Sequence, residues 1–212
     1  YRQKYYVTDN HQDKIRGSFR RLADSFKKIR KHRKIFLFLI AFFFYIDGVY
    51  TIIDMATAYG SALGLDTQGL LVALLVTQIV AFPSALVFAS LARKINNAKL
   101  IQICILAYTG IAIFAIQLDK QWEFWVLAVC VGLFQGGIQA LSRSYFAQII
   151  PPENAGEFFG LFDICGKGAA FLGTALVSVT AQISGSANGA IAILAVMFVL
   201  GLVLFNWALR AE

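Results

Sequence analysis

The chain is predicted to be an all-α membrane protein with six transmembrane helices, preceded by a basic amphipathic helix. Three observations carry that prediction. Six long apolar runs fill the chain from Ile35 to Leu209. The composition is 58% hydrophobic with mean hydropathy +0.67, a balance that suits a polytopic helical protein. Short polar punctuation separates the runs. A β-barrel would instead show alternating segments of about ten residues.

The runs cover 35–59, 69–91, 99–118, 124–143, 157–183 and 188–209. Each approaches the ~20 residues that a helix needs to cross ~30 Å of hydrocarbon. Between them stand Gly60-Ser61 with Gly64, Asn96-Asn97, Pro151-Pro152 with Asn154, and Ser184-Gly185-Ser186 with Asn188-Gly189. Connections this short make consecutive helices antiparallel. Pro83 lies inside the second run and predicts a kink there. Trp122, Trp125 and Trp207 fall at the ends of their runs, where an aromatic belt meets the interface.

Charge sets the expected orientation. Residues 1–34 hold 12 Lys and Arg against Asp9, Asp13 and Asp24; the rest of the chain holds 7 basic and 9 acidic residues. Segments 1–34, 92–98, 144–156 and 210–212 or their flanks carry the bases, whereas 60–68, 119–123 and 184–187 carry only Lys120. The positive-inside rule therefore places both termini in the cytoplasm. No signal peptide opens the chain, whose first 34 residues are polar and basic. The start at Tyr1 rather than Met predicts that further chain precedes it.

Residues 1–34 form a separate region, and 13–34 read as one helix. Ile15, Phe19, Leu22, Phe26 and Ile29 recur at steps of four and three, with Arg16, Arg20, Arg21, Lys27, Lys28, Arg30 and Lys31 around them. Such a helix is expected to lie on the inner leaflet. Nucleic acid is not an expected partner, because these bases directly precede a span and the topology rule accounts for them.

Ionisable groups inside a bilayer are costly and mark functional paths. In the first span, Asp47, Thr51 and Asp54 share a face. Asp47 lies near the midplane and Asp54 near the outer mouth. In the fourth span, Gln135, Gln139 and Arg143 step by four, and Gly132 with Gly136 form a GxxxG that permits close helix contact. In the fifth span, Asp163 and Lys167 stand four apart, an acid before a base, the favoured order for a helical ion pair. Lys167 has three candidate partners: Asp163, Asp47 across the bundle, or a substrate anion. Acid, amide and base at similar depths make a polar path. It suits a zwitterion, with the carboxylate on Lys167 or Arg143 and the ammonium on Asp47, or a proton carried on Asp47 or Asp54. The sequence leaves these roles open.

Other chemistries find no support. His11 and His32 lie in the basic segment, and no nucleophile–His–acid trio or His/Cys metal spacing occurs. Cys104, Cys130 and Cys165 fall inside spans and read as small buried hydrophobes. No P-loop is present, and the glycines of 132–137 sit in an apolar helix rather than after a strand. The chain is thus read as a non-enzyme without cofactor or metal.

From Gly136 to Gly173 the chain reads GGIQALSRSYFAQIIPPENAGEFFGLFDICGKGAAFLG. This resembles the tenth and eleventh helices, with their cytoplasmic loop, of the vacuolar-effluxer-like family of the major facilitator superfamily. Gly136, Gln139, Ala140, Ser142, Arg143, Ser144, Pro151, Glu157, Phe158, Phe159, Gly160 and Lys167 carry the resemblance. Thr174 departs from it, standing where the family pattern has a proline. RKINNAK at 93–99 is a degenerate form of a facilitator loop signature. Fungal members are associated with amino-acid export from the vacuole after autophagy. The resemblance implies that 35–212 form the C-terminal six-helix half of a twelve-helix transporter, with 1–34 ending a central linker. Its partners would be the bilayer, a small polar solute, and a missing N-terminal half or a second copy of the chain. A bacterial cell membrane and a vacuolar membrane both fit. The competing reading is a membrane scaffold or sensor whose basic helix binds a cytoplasmic partner.

Overall fold

A computed structural model describes residues 26–62, 64, 66–117, 120–184 and 187–211. Among these, six long helices follow one another: α1 (Arg33–Ala62), α2 (Thr67–Leu91), α3 (Asn97–Ile116), α4 (Gln121–Ile149), α5 (Ala155–Ser184) and α6 (Ala187–Arg210). All six contain a stretch long and apolar enough to cross a membrane. The fold is an all-α membrane bundle, as the apolar runs predict.

Local chemistry sets the helix ends. The Asp66 carboxylate accepts from the Gly69 amide at 2.8 Å and starts α2; the Asn96 side chain accepts from the Ala98 amide at 2.9 Å and starts α3. Glu123 accepts the Lys120 amide at 3.2 Å at the start of α4. Gly64, at φ 82°, makes the turn before α2 in a region that residues with a Cβ rarely adopt. α4 runs six residues beyond the expected end at 143. Tyr145, Phe146 and Ile149 continue its apolar face, and the helix yields only before Pro151-Pro152, where a 3₁₀ turn (Pro152–Asn154) begins.

The packing order carries an internal repeat. α2 lies against α4 as α5 lies against α1; α3 lies against α4 as α6 lies against α1; α3 and α6 touch each other. Exchanging α1–α3 with α4–α6 maps these contacts onto themselves, the pattern of two inverted three-helix units. α1 is the most enclosed span, while α2 and α5 leave most of their surface outward. Leu75, Ile79, Phe82, Phe171 and Ile183 are exposed there, as lipid-facing side chains must be.

Glycines and hydroxyls close two of the seams. In the α2–α4 seam, a Cβ on Gly132 would stand 2.6 Å from the Thr77 carbonyl oxygen, and one on Gly136 2.8 Å from that of Ala81. The GxxxG thus lets the two backbones touch. Thr77 Oγ1 donates to the Ala128 carbonyl at 3.2 Å, and Ser84 Oγ donates to that of Leu133. In the α1–α5 seam, Gly166 rests on Phe42 and Gly173 on Asp47 and Thr51. At one end of the bundle, Phe42 and Phe162 stack at 4.1 Å and Phe146 stacks on Phe162 at 4.9 Å, joining α1, α4 and α5.

The basic helix expected over 13–34 lies mostly outside the described residues, but 26–31 are helical. This piece turns back onto the bundle. Ile29 is fully buried, and Lys28 Nζ reaches Glu157 Oε2 at 3.1 Å at the start of α5. Of the two described members of its apolar stripe, Ile29 meets protein, whereas Phe26 is half exposed and touches Phe36 edge-on. The bundle end that carries this piece is the basic end.

Candidate functional site

A cavity of about 160 Å³ opens between α1, α4 and α5. α1 supplies Phe42, Ile46 and Tyr50, one face at four-residue steps. α4 supplies Gln139 and Arg143, again four apart. α5 supplies Phe162, Asp163, Gly166 and Lys167. The floor is aromatic, since Phe42 and Phe162 are stacked and tied into the core. The polar groups stand above it: an amide, a phenol, a carboxylate and two cations. A Cβ on Gly166 would rest in ordinary contact on the Phe42 ring, 3.6 Å away.

Arg143 and Asp163 pair across α4 and α5 at 3.4 Å, both about half exposed. The Arg143 guanidinium also lies 5.5 Å from the centre of the Phe159 ring, a cation–π contact that steadies it. Asp163 therefore takes Arg143 as its ion-pair partner rather than Lys167, the neighbour expected from spacing. Lys167 turns into the cavity and forms no ion pair among the described residues. A planar guanidinium already fixed on an aromatic ring loses less freedom on pairing than a flexible ammonium.

The eight residues singled out in the sequence divide. Gln139, Arg143, Asp163 and Lys167 come together in the cavity. Asp47 and Thr51 do not line it. Both are 0% exposed, in the α1–α5 seam. Asp47 Oδ1 accepts the Gly173 amide N–H at 2.8 Å, while Asp47 Oδ2 and Thr51 Oγ1 are buried without a hydrogen-bond partner among the described residues. Asp54 is exposed toward the far end of α1. Gln135 is half-buried, with Oε1 enclosed and unpartnered.

Several contributors were not visible as site residues beforehand. Tyr50, Phe42 and Phe162 line the cavity but look in the sequence like any aromatic of an apolar helix. Gly166 and Gly173 stand seven apart on α5, and that spacing is the one signal that could have marked the seam. Ser142 forms a buried link: it donates to the Ile138 carbonyl at 2.6 Å, so Tyr45 Oη, at 2.7 Å, donates to it. Asn97 Nδ2 donates to Ser144 Oγ at 3.0 Å, and Gln102 Nε2 donates to Asn206 Oδ1, tying α3 to α4 and α6 at the basic end.

Six apolar helices, built as a repeated three-helix unit around a polar hollow, define a multi-pass α-helical membrane protein. The family described as "Vacuole effluxer Atg22 like" matches residues 7–212, and the chain belongs to that family. It is 44% identical over 202 residues to the "Uncharacterized MFS-type transporter YxiO" of Bacillus subtilis, covering 95% of this chain and 47% of the relative. It is 34% identical over 168 residues to "Autophagy-related protein 22" of Saccharomyces cerevisiae, covering 74% of this chain and 32% of that protein. "Autophagy-related protein 22-2" of Aspergillus clavatus is 28% identical over 189 residues. The chain spans about a third to a half of the length of these relatives.

Proposed function

We propose that this chain forms one six-helix half of a secondary transporter of the major facilitator type. It moves amino acids or similar small polar solutes, as an exporter, by alternating access. The observation that carries the reading is the α1–α4–α5 cavity, an aromatic-floored hollow that gathers an amide, a carboxylate and an unpaired lysine within an apolar bundle. The first helix of each three-helix unit, α1 and α4, supplies two of its walls. In an inverted-repeat transporter the solute sits between halves near the midplane. Lys167 lies roughly 18 Å and Gln139 roughly 15 Å along their helices from the basic end, near the middle of the ~30 Å core. The exposed Arg143, Asp163 and Lys167 call for a covering partner: a second six-helix half, from the rest of the polypeptide or from another copy. The basic end faces the cytoplasm with both termini.

In the zwitterion reading, Lys167 binds the carboxylate, Asp163 and Gln139 take the ammonium, and an apolar side chain rests on Phe42 and Phe162. The test is exchange of radiolabelled leucine by the native protein in proteoliposomes. Lys167→Ala and Gln139→Ala are each expected to raise the half-saturating concentration about tenfold or more, the worth of a charged hydrogen bond. Unchanged exchange in both variants would remove the cavity as the solute site. If instead neutralising the basic face of 14–31 abolished function, the scaffold reading would replace transport.

A further inference from the structure

We propose that Asp47 is a single-proton site, closed by Thr51 and Gly173, whose loading and release closes and opens the α1–α5 seam and so couples solute movement to a proton. The inference rests on the transport reading above.

Asp47 is fully buried in a span; its carboxyl accepts one hydrogen bond of normal geometry, from the Gly173 amide on Oδ1, and the Thr51 hydroxyl lies beside it. Among the described residues, Oδ2 and the Thr51 hydroxyl have no hydrogen bond of normal geometry. Among the described residues no cation is within ion-pair distance of Asp47. On α5 the charged side chains are Glu157, Asp163 and Lys167, all on the basic-end side of Gly173; Glu157 is paired with Lys28 and Asp163 with Arg143. On α4 they are Glu123 and Arg143, near its two ends, and on α3 only Lys99 at its start. α2 has none, and α6 has none before Arg210. On α1, Arg33 and Lys34 stand at its start, more than three turns away, and Asp54 lies two turns further along. A carboxylate sealed in hydrocarbon without counter-charge is unfavourable, whereas a carboxylic acid is tolerated. The proton belongs on Oδ2, the oxygen that lacks a partner.

Packing alone does not ask for an acid here. The α2–α4 seam is the counterpart of the α1–α5 seam under the exchange of three-helix units, and it closes with Thr77, Ser84 and glycine. Only the α1–α5 seam holds an ionisable group among the side chains that close it. That seam also carries the cavity. Ile46 lines the cavity and Asp47, the next residue, lines the seam; on α5, Gly166 lines the cavity beside Phe42 and Gly173, two turns on, meets Asp47.

The step is an acid dissociation. The O–H bond on Oδ2 breaks, the proton passes to water and Asp47 becomes a carboxylate. Its charge draws water and parts α1 from α5 at Gly173. Reprotonation from water on the opposite side re-forms the O–H bond and reseats the seam.

The test uses the native protein in proteoliposomes with radiolabelled leucine. In Asp47→Asn, an uncharged isostere that keeps the Gly173 contact, leucine exchange without a pH gradient is expected to persist, while accumulation driven by a pH gradient is lost. Infrared spectra should show a protonated-carboxyl band in the wild type at neutral pH that is missing from the variant. Gradient-driven accumulation by Asp47→Asn, loss of exchange by a monodisperse variant, or a band that survives would overturn the proposal. Should the variant fail to fold, treating the wild type with dicyclohexylcarbodiimide decides: an adduct mapped to Asp47 supports it and its absence refutes it. Wild-type exchange that ignores a pH gradient would refute the coupling. No wild-type exchange at all would refute the transport reading instead, leaving the infrared result to stand for the proton site.

Discussion

Gly173 faces two oxygen-bearing side chains at once, and its missing Cβ decides whether they fit. A methyl group there would collide with the Asp47 carboxylate and the Thr51 hydroxyl, neither of which can retreat from a fully buried position. Gly173→Ala is therefore expected to destabilise the bundle by about 1–3 kcal/mol, the usual penalty for overpacking, read as a lower melting temperature in detergent. Gly110, with open space where its Cβ would be, is the matched control: Gly110→Ala should be neutral or slightly stabilising. The Tyr45–Ser142 hydrogen bond is buried between α1 and α4. A double-mutant cycle of Tyr45→Phe and Ser142→Ala should give a coupling near 0.6 kcal/mol, typical of interhelical hydrogen bonds in membranes. A coupling of zero would mean that water or another group replaces the partner. Ser142, Ser144 and Glu157 look unremarkable as residue types. Each proves to hold one helix to another.

Helices α2 and α4 approach closely because hydroxyls and glycines line the contact. Gly136→Val would drive a branched side chain into the Ala81 backbone and the Ala85 methyl. The expected result is separation of the α2–α4 seam, with loss of monodisperse protein on gel filtration and a cost of about 1–3 kcal/mol. The basic segment attaches more lightly. Lys28 and Glu157 are both about half exposed, so their pair contributes less than about 1 kcal/mol and weakens with salt. Lys28→Glu should loosen the segment, measured as faster amide exchange over 26–32, and the charge-reversed pair Lys28→Glu with Glu157→Lys should restore protection. The helices themselves were legible as apolar runs, because a backbone in hydrocarbon has no choice but to satisfy its own hydrogen bonds. The extra turns of α4 were not, since an apolar face that continues past a bilayer-sized length reads like a loop flank until Pro151 is weighed as the stop.

At the scale of the molecule, the proposed half-transporter needs a partner to cover its cavity. Expressed without a covering partner, residues 35–212 should aggregate in detergent or self-associate, as followed by light scattering. A stable monomer would count against the half-transporter reading. The sequence by itself determined the six spans, their alternation and the capacity of Gly132 and Gly136 for close helix contact, because length, hydropathy and small-residue spacing act locally along each helix; which helix fills that contact it left open. It also marked Gln139, Arg143, Asp163 and Lys167, because charge and amide stand out against an apolar background. Only the tertiary structure decided how they combine. Asp163 went to Arg143 and left Lys167 in the cavity, because an ion pair depends on which helices are neighbours and not on spacing within one helix. Asp47 and Thr51 went into the α1–α5 seam while Phe42, Ile46 and Tyr50 took the cavity. A helix face points somewhere only once its neighbours are in place, and here the glycines of α5 set where α1 turns its acid.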